Sequence, residues 1–257
     1  MRFVQESAQI VLREEIASGI YILRLESPSI AHRSQPGQFL NIRTMDSYGP
    51  LLRRPFSISN VERNEIEILF KVIGKGTQIL SRKSVGDEID VIGPLGGSFN
   101  LSLRFNHAIL VAGGLGVAPF PFLTQSLLSQ GKQVTSFMGA RSADQIVTRK
   151  LRNVQLATDD GSRGFHGNVI DLLREVLKDT PLPEARIFGC GPTAMMKALS
   201  DLADSISIPC QISLEGDMAC GIGICQGCPV ERRGGEKKYS LVCTEGPAFE
   251  SREIVLR

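Results

Sequence analysis

Four of the six cysteines, Cys220, Cys225, Cys228 and Cys243, fall near the C-terminus at the spacing C-x4-C-x2-C-x14-C. The thiolate is the form of cysteine that holds a metal. Three ligands on one tight loop with a distant fourth is the arrangement that cradles a [2Fe–2S] cluster. Gly221, Gly223 and Gly227 are interleaved with these cysteines, and glycine at positive φ can turn backbone N–H groups toward sulfur, which favours the extra negative charge of a reduced cluster. A four-cysteine zinc site is the alternative, although structural zinc ordinarily takes two short C-x2-4-C pairs. A pair of disulfides would need an oxidising compartment, and residues 1–25 place Glu6, Arg13, Glu14 and Glu15 where a secretion signal needs an apolar core. Cys210 heads an apolar stretch and reads as an inert buried thiol. Cys190, in Gly189-Cys190-Gly191-Pro192, is either a core thiol or a residue presented to ligand.

A second chemistry, the binding of phosphate and ring systems, is suggested by several short segments. Val111-Ala112-Gly113-Gly114-Leu115-Gly116-Val117-Ala118-Pro119 follows a strand pattern and opens a helix. Its glycines would let backbone approach a pyrophosphate, and Pro119 suits a first helical turn. It is not the G-x-G-x-x-G fingerprint, so a plain strand-to-helix turn stays open as a reading. Thr158-Asp159-Asp160-Gly161-Ser162 and Cys190-Gly191-Pro192 also end strand patterns, and three such ends on one sheet edge favour a dinucleotide cleft. Earlier in the chain, Arg53-Arg54-Pro55-Phe56-Ser57 offers a guanidinium for phosphate, a flat ring and a hydroxyl for a heterocycle. Gly74-Lys75-Gly76-Thr77 offers a helix entry for a pyrophosphate. Taken singly, an arginine and a phenylalanine on a strand are ordinary surface and core residues.

The elements that must position these groups fall into three blocks. Strand patterns over Phe3–Ile16, Gly19–Ser27, Gly37–Arg43, Arg54–Ser59, Glu65–Ile73 and Asp87–Ile92, with a short helix between Thr77 and Lys83, predict an all-β sandwich or small barrel. From about residue 102 the rhythm changes. Strands at His107–Ala112, Gln133–Met138, Val154–Ala157, Ala185–Phe188 and Cys210–Leu214 alternate with helices at Pro119–Gln130, Gly167–Lys178 and Pro192–Ala203. That alternation predicts a parallel sheet covered on both faces. The expected division is therefore 1–101, 102–214 and 215–257. With 257 residues the chain can bury a full core without covalent staples. Its 29 basic and 27 acidic residues leave a net charge of +2 with no run of like charge, which disfavours nucleic acid as a partner. No 18-residue apolar span is present, so a cytoplasmic location is expected.

These segments, in this order, resemble the ferredoxin–NADP reductase superfamily. There an R-x-[YF]-S strand of an antiparallel β-barrel holds flavin, and a following α/β domain binds the nicotinamide nucleotide through G-G-x-G-x-A-P and C-G-P turns. With the cysteine module added, the whole chain is similar to the electron transfer subunits of class 1B dihydroorotate dehydrogenases. Met218-Ala219-Cys220-Gly221-Ile222-Gly223 and Val242-Cys243-Thr244-Glu245-Gly246-Pro247 are the segments that carry this. The resemblance implies that Arg54, Pro55, Phe56 and Ser57 bind FAD, that Leu69, Phe70 and Lys71 line it, and that Gly76 and Thr77 meet its pyrophosphate. It assigns Gly113, Gly114, Gly116 and Pro119, with Asp159, Asp160, Cys190, Gly191 and Pro192, to NAD. Phe56 stands where many superfamily members have Tyr, and Gln226-Gly227-Cys228-Pro229 fills the cluster loop differently from the family pattern.

The implied work is electron transfer. NAD exchanges a hydride, a [2Fe–2S] cluster carries one electron, and FAD does both, so the flavin belongs between them. Electrons would come from an FMN-bearing partner that oxidises dihydroorotate for pyrimidine synthesis, in a heterotetramer of two copies of each subunit. No catalytic acid or base is required of this chain. Competing readings are the flavin and iron–sulfur subunit of an NAD(P)H–ferredoxin oxidoreductase, hydrogenase or sulfite reductase, and a zinc-stabilised interaction domain. One such group has Asp in place of the first cluster cysteine, so Cys220 favours the dihydroorotate reading. Arg141 beside Ser142 is either a 2′-phosphate contact, which would mark NADP, or a surface arginine.

Overall fold

Alternation of apolar and polar residues drives the first block into strands whose inward residues lie two apart. Val4–Ala17 (β1), Ile20–Glu26 (β2), Phe39–Ile42 (β3), Arg54–Glu62 (β4), Glu65–Lys71 (β5) and Glu88–Leu95 (β6) close into an antiparallel barrel in the order β1-β2-β5-β4-β3-β6. Its interior is filled by the pairs Ala8 and Ile10, Leu23 and Leu25, Leu40 and Ile42, Ile66 and Ile68, and Ile89 and Val91, all buried. A short helix, Pro28–Ala31 (α1), follows β2, and Lys75–Ser81 (α2) follows β5. The Thr77 hydroxyl secures the entry to α2 by accepting the Ile73 and Gly74 N–H groups at 3.0 and 3.1 Å. The structure is a computed structural model and describes residues 3–45, 49–179, 182 and 184–257.

In the second block, His107–Gly113 (β7), Gln133–Ala140 (β8), Val154–Thr158 (β9), Phe165–His166 (β10), Ala185–Cys190 (β11) and Cys210–Ser213 (β12) pair in parallel. Helices Phe120–Ser129 (α3), Val169–Asp179 (α4) and Thr193–Ser205 (α5) connect them. The sheet runs β10-β9-β8-β7-β11-β12, so the winding reverses between β7 and β11. Such a reversal opens a crevice at the carboxyl ends of the two strands, where ligands of doubly wound folds bind. Those ends are Gly113 and Cys190, so the two glycine-rich turns read from the sequence flank the crevice. Residues of β7 alternate between the two faces: Ile109 and Val111 join one core, and Ala108, Leu110 and Ala112 join the other.

The last block contains a hairpin of Pro229–Glu231 (β13) and Tyr239–Leu241 (β14), followed by Ala248–Glu250 (β15). β15 returns to the sheet and pairs antiparallel with β12, and its Glu250 carboxylate bonds the buried guanidinium of Arg186 on β11. These elements, with β10, are two or three residues long, too short to show periodicity, and the sequence gives no sign of them. Cys228, Val242, Cys243 and Phe249 share one core with Ile109 and Val111, so the cysteine segment is packed onto the sheet. The barrel is joined too: Phe99 packs edge-on against Phe188 of β11 at 5.4 Å between ring centroids. Among the described residues, no helix is long and apolar enough to cross a membrane.

Candidate functional site

The four module cysteines form two neighbouring pairs. The Cys225 N–H donates to Cys220 Sγ at 3.4 Å, as does Ile222 N–H at 3.5 Å, and Cys243 N–H donates to Cys228 Sγ at 3.4 Å. A further donor, Gly227 N–H, lies 3.4 Å from Cys225 Sγ. Burial opposes ionisation of Cys220, but the amide donors of Cys225 and Ile222 outweigh it and bring the thiol down to about 7. Burial pushes Cys243 up to about 12. A [2Fe–2S] cluster takes two cysteines per iron, which matches an arrangement in two pairs. Amide donors on three of the four sulfurs suit the negative charge of such a cluster. Cys225 is exposed at the loop apex beside Ile224, and Cys228 and Cys243 are buried.

A cavity of about 350 Å3 lies between barrel and sheet. Its walls include Pro55, Phe56, Ser57, Leu69, Phe70, Lys71 and Thr77, seven of the nine residues expected at the flavin. Phe56 and Phe70 meet edge to face at 5.7 Å and give it an aromatic floor. Arg54 and Gly76 are not in the wall but adjoin each other, since a Cβ on Gly76 would lie 3.4 Å from Arg54 Cγ. Arg54 donates to the carbonyls of Leu52 and Arg53 at 2.8 and 3.2 Å through one nitrogen, leaving the rest of its guanidinium for an anion. On its other side Gly76 faces the Thr44 methyl, 3.6 Å from where a Cβ would stand, so a side chain here would crowd the approach to Arg54. Arg54→Ala is expected to weaken FAD retention by roughly 10–100-fold, the worth of a charge-assisted bond to phosphate. Flavin absorbance after gel filtration measures it, and full retention would remove Arg54 from the site.

A second cavity, of about 470 Å3, occupies the crevice at the sheet reversal. Gly113, Gly114, Gly116, Asp159, Gly191 and Pro192 line it, as expected for the nucleotide. Three other expected residues are placed differently. Cys190 lines the first cavity, between barrel and sheet, and burial pushes its thiol far above the ordinary range. Asp160 accepts the Ser162 N–H and hydroxyl at 2.9 and 2.6 Å and closes its own turn. Pro119 caps the start of α3 and lines neither cavity. Arg141, for which a surface position was one reading, lines this second cavity with Gln145.

Leu115 and Glu215 line both cavities, so the two adjoin there. Glu215 keeps an exposed edge, yet burial on its protein side raises its carboxyl above the usual value. Sequence reasoning missed Glu215, although it follows the carboxyl end of β12, and extending the strand-end rule to that strand would have found it. Met218 and Pro247, two residues before Cys220 and four after Cys243, also line the first cavity. Asn41 of β3 ties the cluster loop to the barrel by donating to the Cys220 carbonyl at 2.9 Å.

Family models match the chain in three consecutive spans. Residues 7–100 match an oxidoreductase FAD-binding domain, 110–201 an oxidoreductase NAD-binding domain, and 215–255 the iron–sulfur cluster binding domain of dihydroorotate dehydrogenase B. The dihydroorotate dehydrogenase B (NAD+) electron transfer subunit of Shouchella clausii is 40% identical over 100% of both chains. That of Desulforamulus reducens is 38% identical over 96% of this chain and 97% of its own. The chain belongs to the dihydroorotate dehydrogenase B electron transfer subunit family. Among solved structures, an NADH-dependent reduced ferredoxin–NADP oxidoreductase aligns with a TM-score of 0.86 at 29% identity, covering 97% of this chain and 90% of the other. Phthalate dioxygenase reductase, at 20% identity and a TM-score of 0.63 over 91% and 88% of the chains, shares the fold. As a dihydroorotate dehydrogenase B electron transfer subunit, the chain is an oxidoreductase flavoprotein with FAD-binding, NAD-binding and iron–sulfur domains, and the zinc interaction-domain reading is set aside.

Proposed function

We propose that this chain links an FMN-bearing, dihydroorotate-oxidising subunit to NAD+, in a cytoplasmic complex of two copies of each subunit that serves pyrimidine synthesis. The observation that carries the reading is contiguity. Met218 and Pro247 bring the cluster segments to the flavin cavity, and Leu115 and Glu215 join that cavity to the nucleotide cleft. When bound, FAD supplies the exchange between single electrons from a [2Fe–2S] cluster and the electron pair of a hydride. The chain's own residues hold and orient these groups. Arg54, Gly76 and Thr77 anchor the flavin's pyrophosphate; Pro55, Phe56, Ser57, Leu69, Phe70 and Lys71 frame its ring. Gly113, Gly114, Gly116, Asp159, Gly191 and Pro192 receive the nucleotide, and Cys220, Cys225, Cys228 and Cys243 hold the cluster. The assignment of 1–101 to FAD, 102–214 to NAD and 215–257 to the cluster is supported by the spans of the family matches.

The test is purification of the tagged chain with its native partner, followed by an anaerobic assay with dihydroorotate and NAD+. NADH formation by the complex, and not by either subunit alone, is the expected result. A ferredoxin-type or hydrogenase-type partner without that activity would transfer the chain to the ferredoxin oxidoreductase reading.

A further inference from the structure

Among the described residues, every ion pair between the barrel and the α/β block uses one dipeptide, Arg149-Lys150. Both side chains converge on Glu67 of β5, whose carboxylate is only 5% exposed. Lys150 Nζ lies 3.0 Å from Glu67 Oε1 and Arg149 Nη2 lies 3.6 Å from Oε2, which Arg24 of the barrel approaches at 3.1 Å. Further carboxylates complete the network: Glu14 takes Arg149 at 2.7 Å and Glu62 takes Lys150 at 2.5 Å. The hydrogen bond from Lys150 holds Glu62 below its ordinary range, so that pair is intact at neutral pH. A buried carboxylate stripped of its cations is strongly unfavourable, and two of the three cations on Glu67 come from across the boundary. Lys150 reaches them from a left-handed backbone, φ 59°, which a non-glycine residue adopts only when its surroundings compel it.

The route between Arg149-Lys150 and the ligand sites is short. The segment leaves β8 at Arg141, which lines the nucleotide cleft with Gln145. It then buries Val147 in a core shared with Ile22 and Leu69. Leu69 is two residues from Glu67 on the same face of β5 and lines the flavin cavity. The seam between segment and barrel holds a void of only about 10 Å3, so it is closely fitted. One strap therefore touches the nucleotide cleft at one end and the wall of the flavin cavity at the other.

We propose that Arg149 and Lys150, seated on Glu67, are positioning residues for hydride exchange: their ionic clasp sets how closely the nucleotide cleft approaches the flavin. The inference rests on the function proposed above, and its test separates the two. Reduction of FAD by NADH in the parent complex checks the function; the ratio of variant to parent checks the clasp. In R149M/K150M, which keeps the apolar stems, the limiting rate of flavin reduction at saturating NADH is expected to fall about 10-fold. Long-wavelength charge-transfer absorbance between flavin and nicotinamide should fall with it, while the Kd for NADH changes by less than about threefold. Restoring both charges in R149K/K150R should recover most of the rate. Amide exchange of residues 146–151 and 66–70 should quicken in the methionine variant, a readout that needs no turnover. An unchanged limiting rate and charge-transfer band at full FAD content would overturn the proposal, as would a loss confined to NADH affinity. Should the double variant lose FAD or fail to fold, Glu62→Gln and a salt titration of the parent at saturating NADH decide the matter. The proposal requires both to slow flavin reduction, since salt screens the exposed half of the clasp, and rates unaffected by either would reject it.

Discussion

Cys225→Ser is expected to strip the complex of its iron–sulfur absorbance and to lower dihydroorotate-to-NAD+ turnover at least about 100-fold, with NADH reduction of FAD within about threefold of the parent. Serine replaces a soft thiolate by a hard, poorly ionised hydroxyl, and a cluster with one weak ligand is readily lost. Position 225 isolates this effect better than its partners do. Cys228 and Cys243 are buried within the core that also holds Ile109, Val111 and Phe249, so replacing either disturbs packing as well as ligation. Cys225 is exposed at the loop apex, and its sulfur accepts one amide donor, Gly227. Iron and acid-labile sulfide content, the electron paramagnetic resonance of the reduced complex and the two turnover assays measure the outcome. Dihydroorotate-to-NAD+ turnover at the parent rate with iron absent would show that electrons bypass the cluster.

The second large effect is expected at the sheet reversal. A Cβ on Gly116 would lie 2.2 Å from the Cys190 carbonyl oxygen, 2.4 Å from its carbon and 2.6 Å from Gly191 N, all backbone atoms without room to turn aside. Gly116→Val must therefore push the turn after β7 away from the end of β11, and the crevice proposed for the nucleotide is bounded by those two ends. Affinity for NADH should fall at least about 100-fold, with destabilisation of about 1–3 kcal/mol from overpacking. Cys190 also lines the flavin cavity, so the flavin spectrum should shift as well. Gly114→Ala provides the contrast. Nothing lies within 4 Å of a Cβ there, and the strain comes only from φ 54°, worth about 1–2 kcal/mol. It should retain measurable NADH binding. Equal, mild effects of the two substitutions would mean that the Gly116–Cys190 approach does not shape the cleft.

What could be read from the sequence is what depends on local spacing. The barrel strands declare themselves through residues two apart, such as Ile66 and Ile68, because a pleated strand facing one core demands that period. Helices α3 to α5 declare themselves by length and by alternation with strands. The cysteines proposed as cluster ligands stand out because three of the four lie on one loop, where spacing alone constrains geometry. Likewise, Gly113-Gly114-Leu115-Gly116 and Gly191-Pro192 mark strand ends, and strand ends of a parallel sheet are where ligands sit.

Tertiary structure decided whatever joins distant segments. Leu115 and Glu215 line the same two cavities although about a hundred residues separate them; each lies at a strand end, but local spacing does not say that the two ends share a wall. Cys190 lines the cavity between barrel and sheet and Asp160 closes its own turn, because side-chain direction at a strand end depends on the turn that follows and on the neighbours it finds. β15 pairs with β12 through three residues whose pattern carries no period, and their strand conformation depends on the edge they complete. Glu67 looks in sequence like one of three solvated glutamates on or beside β5, yet it is buried beneath two cations from another block. Propensity and periodicity act over a few residues and fix elements; cavities, ion-pair networks and sheet edges are set by loop closure and packing over the whole chain, and those are properties of the folded molecule.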